Sequence, residues 1–262
     1  MATSNLTVSH AETGLVTAEV VRAARISPHF VRITLSGPEL ADWRHVGFDQ
    51  WFRLAVPTHD DTRFDNLPDE YDLRGYLKYL RTPKATRPVI RNYTVREYRA
   101  ADGELDVDFV VHGDEGVAGP WAQRLPVGAS VALIDQGCGY RHVDGAPVLL
   151  VGDESALPAV VGILRDLPRD TRGDAVIEVL HADDVQPVDA PAGVTVHWLV
   201  REPGRAPGDA ALALVRTLPV VDSVNAFAAG ESKLATGVRR HLVAERGVPK
   251  ANVTFCGYWR AS

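Results

Sequence analysis

The stretch from Arg91 to Arg96 holds the side chains whose types and spacing best suit ligand chemistry. Arg91 offers a planar fork of donors for phosphate, Tyr93 a ring face for stacking, and Thr94 a hydroxyl that can donate or accept. In a strand, Arg91 and Tyr93 share one face, and Thr94 and Arg96 share the other. A ligand that is anionic in one part and flat in another fits this set, which suggests a flavin nucleotide. The alternative is an edge strand with a solvated arginine at each end.

The elements around this stretch are those of an antiparallel sheet. Alternating apolar and polar residues predict strands over residues 16–24, 29–35, 50–56, 105–112 and 130–134. We expect the strand at 105–112 to pair with the strand that carries Arg91, across a turn at Asp102 and Gly103. Trp51 and Phe52 are adjacent, so we expect one to face the core and the other a surface or a site.

Charge separates between residues 60 and 96 of the chain. Acids dominate the first part, and a run of bases without an acid follows: Arg74, Lys78, Arg81, Lys84, Arg87, Arg91 and Arg96. Such a run would attract an anionic ligand. The alternative for most of these bases is a solvated helix over residues 71–80 that packs an apolar stripe inward, formed by Leu73, Tyr76, Leu77 and Leu80.

A glycine-rich stretch over residues 113–122 follows the strand at 105–112. Its glycines and Pro120, which can occupy the first helical position, are a helix-start signal, and free amides at a helix start can bind anions. A diphosphate could lie here, near Arg91. The alternative is an ordinary loop before a short helix.

After residue 145 the pattern changes to continuous apolar runs, each followed by a helix-like segment. The runs predict strands at 148–151, 175–180, 194–200, 224–229 and 253–256, and helices at 159–167, 209–218 and 233–246. This alternation predicts a parallel sheet covered on both faces, with ligands beyond the carboxyl ends of the strands. Those ends carry polar and aromatic residues at 152–155, 230–233 and 257–260, for which capped loops are the alternative.

The length, charge, cysteine spacing and motif content of the chain argue against several classes of protein. The 262 residues can bury a sizeable core, and a formal charge of -6 with a pI near 5.8 argues against general nucleic-acid binding. Cys138 and Cys256 lie far apart without a C-x-x-C, so we expect no metal site. The common dinucleotide, kinase and hydrolase motifs are absent. Neither a signal peptide nor a membrane-spanning run is found, and we expect a cytoplasmic monomer that neither inserts into a membrane nor binds nucleic acid.

Taken in order, the pieces resemble the siderophore-interacting protein family of FAD-dependent ferric-siderophore reductases, among the ferredoxin-reductase-like flavoproteins. The resemblance covers nearly the whole chain from Val16 and rests on residues 91–96, 108–113, 119–122, 150–158, 229–231 and 257–260. It implies an N-terminal antiparallel six-stranded β-barrel that binds FAD, followed by a C-terminal parallel-sheet α/β domain that binds NAD(P)H. The expected limits are a flexible tail at 1–15, the FAD-binding domain at 16–144 and the NAD(P)H-binding domain at 145–262.

The same resemblance implies roles for individual residues. Arg91 would hold the FAD phosphates, Tyr93 would stack on the isoalloxazine, and Thr94 would bond its polar edge. The other residues implied at the FAD are Asp108, Val110, His112, Gly119, Pro120, Trp121, Ala122, Tyr258 and Trp259. Those implied at the nicotinamide nucleotide are Asp153, Glu154, Ser155, Gly230 and Glu231. Candidates for attracting an anionic ferric complex are Lys233, Arg239, Arg260 and Arg96.

The function that this resemblance implies is electron transfer from NAD(P)H through flavin to ferric iron in a siderophore, with release of Fe2+. The flavin carries the chemistry, so no side chain is assigned as a catalytic acid or base. Asp183 and Asp184 would disfavour an extra 2'-phosphate if they faced it, which favours NADH over NADPH; reduced ferredoxin is the other candidate donor. The alternatives are a related flavin oxidoreductase with another acceptor, or a non-catalytic flavin or siderophore carrier.

Overall fold

The computed structural model of the chain describes residues 4–6, 14–59, 61–65, 67–68, 73–113 and 116–261. The chain forms two compact units. The described residues of 8–46 and 50–138 make up the first unit, and those of 1–7, 47–49 and 139–262 make up the second. The predicted domain limits near residue 145 remain a prediction.

The first unit is built on an antiparallel sheet in the order β4-β3-β7-β1-β2-β6-β5. Its strands are β1 (Leu15–Ser27), β2 (Phe30–Ser36), β3 (Trp51–Val56), β4 (Val89–Thr94), β5 (Glu97–Arg99), β6 (Glu104–Val110) and β7 (Ser130–Asp135). The two end strands, β4 and β5, are consecutive in the chain and separated only by Val95 and Arg96. Counted as one bent strand, they give the six strands that the sequence predicts, and the predicted antiparallel fold is confirmed.

The bend between β4 and β5 corrects one expected pairing. β6 pairs with β5 and β2, whereas β4, which carries Arg91, pairs with β3. The predicted pairing across the turn at Asp102 and Gly103 is therefore made by β5, and the prediction was wrong for β4, the part that carries Arg91. At the bend the Val95 amide donates to the Gln50 carbonyl (2.8 Å) and the Arg96 amide to the Asp106 carbonyl (2.9 Å), so the chain changes partner strands between these two residues.

Alternation along the strands produces the core of the first unit. Phe52 is fully buried and Trp51 is partly exposed, as expected for adjacent strand residues on opposite faces. Leu105, Val107 and Phe109 of β6 are buried in the same core, so the predicted strand is confirmed, although it ends at Val110 and not at residue 112. A 3₁₀ turn at Pro38–Asp42 precedes β3.

Two helices belong to the first unit, α1 (Leu73–Arg81) and α2 (Ala118–Gln123). In α1 the predicted inward stripe was wrong, because Tyr76, Leu77 and Leu80 are 45%, 50% and 44% exposed. Gly75 is buried and Tyr79 donates to the Pro88 carbonyl (2.9 Å), so the helix is turned to present these positions to the unit. Residues 71–72, and the side chain of Leu73, lie outside the described part. In α2 the helix begins at residue 118, two positions before the predicted first helical residue, Pro120.

The second unit is a parallel sheet in the order β10-β9-β8-β11-β12, which confirms the predicted class. Its strands are β8 (Val148–Gly152), β9 (Arg172–Val179), β10 (Gly193–Val200), β11 (Asn225–Glu231) and β12 (Val253–Trp259). Its helices are α3 (Leu157–Asp166), α4 (Asp209–Thr217) and α5 (Ser232–Arg240), the last continuing as a π turn to Glu245. The strand order reverses between β8 and β11, and ligands bind at such a switch point beyond the carboxyl ends of the strands.

Short pieces from earlier in the chain complete the second unit. The Phe48 amide donates to Asp166 of α3 (2.5 Å), and the Asp49 carboxylate accepts from the amides of Gly139 (3.0 Å) and Tyr140 (2.8 Å). Asn5, within the predicted tail, donates its side-chain amide to the Val253 carbonyl of β12 (2.8 Å). Among the described helices, none combines the length and the apolar character that crossing a membrane requires.

Candidate functional site

Arg91 lies on the outer part of β4 with its guanidinium exposed. The pairing register sets it opposite Leu54 of β3. Its Nη1 donates to the neighbouring Ile90 carbonyl (2.8 Å), and no carboxylate in the described part of the chain forms an ion pair with it. The remaining donors of the fork can therefore bind an anion without displacing an acid.

Tyr93 connects β4 with β6 and α2 through ring contacts. Its ring centroid lies 4.2 Å from that of Phe109, which in turn lies 5.7 Å from that of Trp121. Burial raises the pKa of the Tyr93 phenol, and the positive charge of Arg91 offsets this only in part. The hydroxyl therefore stays protonated at neutral pH and can donate a hydrogen bond.

Trp51 is a site candidate that was not assigned a role from the sequence. It lies directly opposite the buried Thr94 in the β3–β4 ladder, and opposed residues project from the same face. The indole Nε1 of Trp51 is buried and has no acceptor among the described residues. Buried donors are nearly always paired, so this indole is able to donate to an acceptor next to Thr94. The sequence signal was the adjacent Trp51 and Phe52, of which one had to leave the core.

Asp108 and Arg96 are already engaged with each other and with β2. The Asp108 carboxylate accepts from Arg32 at 2.7 and 2.8 Å, and the Arg96 Nε lies 3.3 Å from it. The Asp108 side chain is fully buried and that of Arg96 is 13% exposed. Asp108 thus holds two arginines in place. The substrate role predicted for Arg96 remains a prediction, and an anion there would have to share this base with Asp108.

The end of β6 and the start of α2 lie side by side. A Cβ placed on Gly119 would lie 3.8 Å from the Val110 carbonyl oxygen, and Gln123 donates to the Gly113 carbonyl (3.0 Å). His112 is exposed at this point, Pro120 is partly exposed, and Trp121 and Ala122 are buried. Asp114 and Glu115, in the middle of the predicted anion loop, lie outside the described residues. The structure thus places Gly119 beside Val110, and Trp121 beside Phe109, the ring that Tyr93 contacts.

In the second unit, Asp153 organises the predicted nucleotide edge. It follows β8 and is fully buried, and its Oδ1 accepts from the amide (2.9 Å) and hydroxyl (2.6 Å) of Ser155. Its Oδ2 accepts from the Glu231 amide (2.6 Å) and the Trp259 indole (2.9 Å). Burial raises the pKa of Asp153, and these four donors act against that shift. One carboxylate therefore holds together the ends of β8, β11 and β12.

Gly230 makes this convergence possible. It has a φ of +119°, and a Cβ at this position would lie 2.5 Å from the Asp153 carboxylate. Glu231, the next residue, is fully buried and caps α5 by accepting from the amides of Lys233 and Leu234. The carboxylates of Asp153 and Glu231 are thus turned into the protein. Contact with a nucleotide, predicted for both residues, remains a prediction.

Glu154 belongs to a buried ion-pair network that the sequence analysis missed. Arg201, directly after β10, binds Glu154 (2.5 Å) and Glu178 (2.6 Å) at once. Glu178 also accepts from the amides of Gly208 (2.9 Å) and Ala211 (3.3 Å) at the start of α4. Burial raises the pKa of Glu154, the charge of Asp153 adds to the increase, and Arg201 opposes it. The available signal was an arginine directly after the apolar run at residues 194–200.

The carboxyl end of β12 carries the aromatic pair of the site. Tyr258 is exposed, and the Trp259 carbonyl accepts from the Ser232 hydroxyl (2.8 Å). Of the bases predicted to attract a substrate, Lys233 and Arg260 are exposed, whereas the Arg239 guanidinium lies 4.9 Å from the centroid of the Phe255 ring.

The loop after β9 carries the two acids on which the predicted preference for NADH depends. Asp184 is fully buried and Asp183 is exposed, with its carboxylate 3.5 Å from the His181 ring. Only Asp183 could face a ribose here. In the described residues, no group of three or more His, Cys, Asp or Glu side chains is arranged to hold a metal ion.

The comparisons with known proteins agree with these two units. The siderophore-interacting FAD-binding domain family matches residues 19–138, and the siderophore-interacting protein family matches residues 146–262. Ferric vibriobactin reductase ViuB of Vibrio cholerae is 31% identical over 246 residues, which cover 92% of this chain and 88% of ViuB.

Two solved structures are similar over almost the full length. The siderophore-interacting protein SipS from Aeromonas hydrophila is 29% identical with a TM-score of 0.79, covering 95% of this chain and 92% of SipS. A siderophore utilization protein from T. fusca is 32% identical with a TM-score of 0.78, covering 95% of this chain and 93% of that one. The chain belongs to the siderophore-interacting protein family.

Proposed function

We propose that this protein is an FAD-dependent reductase that takes electrons from NADH or NADPH and delivers them to ferric iron held in a siderophore. Membership of the family and the likeness to ferric vibriobactin reductase support a siderophore-related flavin oxidoreductase. The donor, the acceptor and the residue roles are our inference.

The observation that carries the proposal is the contrast between the arginines of the β4–β5 segment. Arg91 is exposed and has no ion-pair partner in the described residues, whereas Arg96 lies against Asp108 and Arg99 binds Asp106 (2.7 Å). An arginine beside Tyr93 that is left without an acid suits a diphosphate.

The residues around Arg91 fit FAD. Arg91 would bind the phosphates, Tyr93 would lie against the isoalloxazine, and Thr94 would bond its polar edge. The Trp51 Nε1 opposite Thr94, which has no acceptor among the described residues, offers a further donor. Around the same core, the proposed contacts are those of Asp108, Val110, His112, Gly119, Pro120, Trp121 and Ala122. Asp108 would act there through its backbone, because its carboxylate holds Arg32 and Arg96.

In the second unit, the proposed site for the nicotinamide nucleotide is the switch point between β8 and β11. Ser155 and Lys233 keep side chains partly or fully exposed there, while Asp153 and Glu231 shape the loops from within. Gly230 lets the Asp153 carboxylate approach, because a Cβ at this position would lie 2.5 Å from it. Lys233 and Arg260 supply positive charge for an anionic ferric complex.

Bound FAD would supply the redox chemistry, since a flavin can link a two-electron hydride donor to a one-electron acceptor. The protein's own residues would bind and orient the FAD and shield it from water. Hard oxygen ligands bind Fe3+ more strongly than Fe2+. Reduction of the iron in the substrate therefore weakens the iron–siderophore complex and releases the iron. No side chain is required as an acid or base at the siderophore.

Anaerobic stopped-flow absorbance with the purified, FAD-loaded protein tests the proposal. We expect NADH or NADPH to bleach the flavin, and a ferric siderophore to restore its colour faster than ferric citrate does. A protein bleached by either nucleotide but reoxidised only by free flavin, a quinone or a redox protein would be a reductase with another acceptor. A yellow protein that NADH, NADPH and reduced ferredoxin all fail to bleach would be a carrier, and one that cannot take up FAD would contradict both readings.

A further inference from the structure

Helix α1 presents apolar side chains to solvent. Tyr76, Leu77 and Leu80 are 45%, 50% and 44% exposed and lie at the spacing that makes a continuous stripe on a helix. The other side of the helix holds it to the first unit, where Tyr79 donates to the Pro88 carbonyl (2.9 Å) and Lys78 to the Leu67 carbonyl (2.9 Å). The stripe is therefore a fixed surface feature.

A basic stripe runs beside the apolar one. Arg74 and Arg81, seven residues apart on α1, project from one side of the helix, and Lys84 and Arg87 follow it. None of these four bases forms an ion pair with an acid in the described ranges, although the chain as a whole carries a formal charge of -6. Among the described residues, positive charge is thus concentrated on α1 and the segment that follows it.

A cavity of about 460 Å³ opens next to the two stripes. Its lining includes Tyr76, Tyr79, Lys84 and Arg87. The Arg87 guanidinium lies 5.2 Å from the centroid of the Tyr79 ring, and both residues line the cavity. Such a cavity has the size and the charge to admit a phosphate headgroup.

These three features fit one kind of surface. A short helix with apolar and aromatic side chains on one side and bases beside them is the pattern of a helix that lies in the plane of a bilayer interface. In such a helix the bases face anionic headgroups, and tyrosine suits the boundary between the apolar acyl chains and the hydrated headgroups. A stable protein partner would need about 800 Å² of complementary surface on each side. Three side chains offer far less, whereas a bilayer requires no matching shape.

We propose that α1, with Lys84 and Arg87, docks this protein peripherally on an anionic phospholipid surface. The nine residues of α1 are too few to span a bilayer, so the helix lies on the membrane. The docking surface belongs to the first unit alone. It does not depend on which electron donor or acceptor the protein uses.

Co-sedimentation of the full-length, FAD-loaded protein with vesicles tests this inference. We expect binding to vesicles of phosphatidylglycerol and phosphatidylcholine in equal parts, weakening as salt rises, and no binding to phosphatidylcholine alone. Arg74→Gln and Arg81→Gln should each lower the partition coefficient roughly fivefold. Leu77→Ser with Leu80→Ser should lower it by roughly tenfold or more.

Two control variants test whether any loss of vesicle binding is specific to the apolar and basic stripes of α1. Val127→Ser removes a valine that is 61% exposed elsewhere in the same unit, and Arg205→Gln removes an exposed base from the other unit. Both should bind vesicles like the unaltered protein. Circular dichroism and flavin content should be unchanged in every variant, and should the serine variant fail to fold, the two glutamine variants suffice.

Three results would overturn the inference. The first is no sedimentation with the anionic vesicles at low salt, and the second is undiminished binding by the α1 variants. The third is retention on an immobilised plant-type [2Fe–2S] ferredoxin, lost in the same variants, without vesicle binding, which would assign the surface to an acidic protein. Vesicle binding is measured without electron transfer, so its failure leaves the proposed reductase function standing.

Discussion

The indole nitrogen of Trp259 donates a 2.9 Å hydrogen bond to the buried carboxylate of Asp153, 106 residues earlier in the chain. Asp153 follows β8 and Trp259 ends β12, and β11 lies between these two strands. The same oxygen accepts from the amide of Glu231, at the end of β11. The edge of the sheet where a nucleotide is expected is therefore held by one side chain before any ligand binds.

Asp153→Asn should loosen this edge. The amide group puts a donor where Ser155, Glu231 and Trp259 already supply donors, so at least one buried polar group loses its partner. We expect a loss of about 1–3 kcal/mol in the free energy of unfolding, with a change in tryptophan fluorescence. Urea denaturation followed by fluorescence measures both. Asp222→Asn, at an exposed loop position, is the control, and equal stability of the two variants would contradict the proposed role of Asp153.

Arg91→Ala should weaken FAD binding more than it weakens folding. The exposed guanidinium makes one bond to its neighbour's carbonyl, so its loss costs the fold little. A charged hydrogen bond to phosphate contributes about 1.5–3 kcal/mol, so we expect the FAD dissociation constant to rise about 10- to 100-fold. Flavin fluorescence titration of the apoprotein measures it. Arg22→Ala removes a 59% exposed arginine of β1 paired with Glu104 and should leave FAD affinity unchanged. Normal affinity in Arg91→Ala would exclude the phosphate role.

Arg201→Ala should be among the most destabilising single changes in the second unit. It leaves the buried carboxylates of Glu154 and Glu178 without their shared cation, which typically costs about 3–5 kcal/mol. Arg205→Ala, which breaks an exposed pair with Glu202, should cost less than about 1 kcal/mol. Thermal unfolding of both variants provides the comparison. Similar melting temperatures would mean that the buried network contributes no more than the surface pair.

Periodicity predicted the strands and helices because each buries one face, and the β–α alternation of the second half required a parallel sheet. The orientation of α1 was not predictable, since its apolar stripe indicated burial while the structure turns Gly75 and Tyr79 inward. The spacing of residues in the sequence also could not indicate whether a carboxylate at the end of a strand points towards a ligand or into the protein. Asp153 and Glu231 lie at the expected edge, yet their oxygens accept from the loops' own amides. The Arg96–Asp108 pair depends on the bend at residues 95–96, which no local pattern marks.

Acid should weaken the first unit through Asp106. Burial alone would raise the pKa of Asp106, but hydrogen bonds from Arg99 and Thr34 outweigh it, and the net pKa is lowered. A carboxyl whose pKa is lower in the folded state stabilises the fold above its ordinary pKa, near 4, and this contribution is lost as pH falls towards the folded value. Asp106→Asn should therefore be less stable than the unaltered protein at neutral pH, with the difference shrinking in acid. Urea midpoints across that pH range measure it, and a difference independent of pH would contradict the assignment.

Trp51→Phe should separate binding from stability. The buried Trp51 Nε1 has no acceptor in the described part of the chain, so removing the donor should leave the apoprotein as stable as before or slightly more so. If FAD provides the missing acceptor beside Thr94, the same change should raise the FAD dissociation constant by roughly fivefold to tenfold, as expected for the loss of one hydrogen bond of about 1 kcal/mol. Apoprotein melting and flavin titration give the two readings.

Trp43→Phe is the matched control for this change, because the Trp43 Nε1 is also buried without an acceptor in the described residues. Trp43 packs edge-on against Phe52 in the core, with ring centroids 6.0 Å apart, on the face of β3 opposite to Trp51. Its replacement should therefore leave FAD affinity unchanged. Equal losses of affinity in the two variants would mean that changed packing around the sheet, and not the lost donor, weakens FAD binding. Unchanged affinity in Trp51→Phe would exclude the indole from the FAD site, and the role of Arg91 would still depend on its own test.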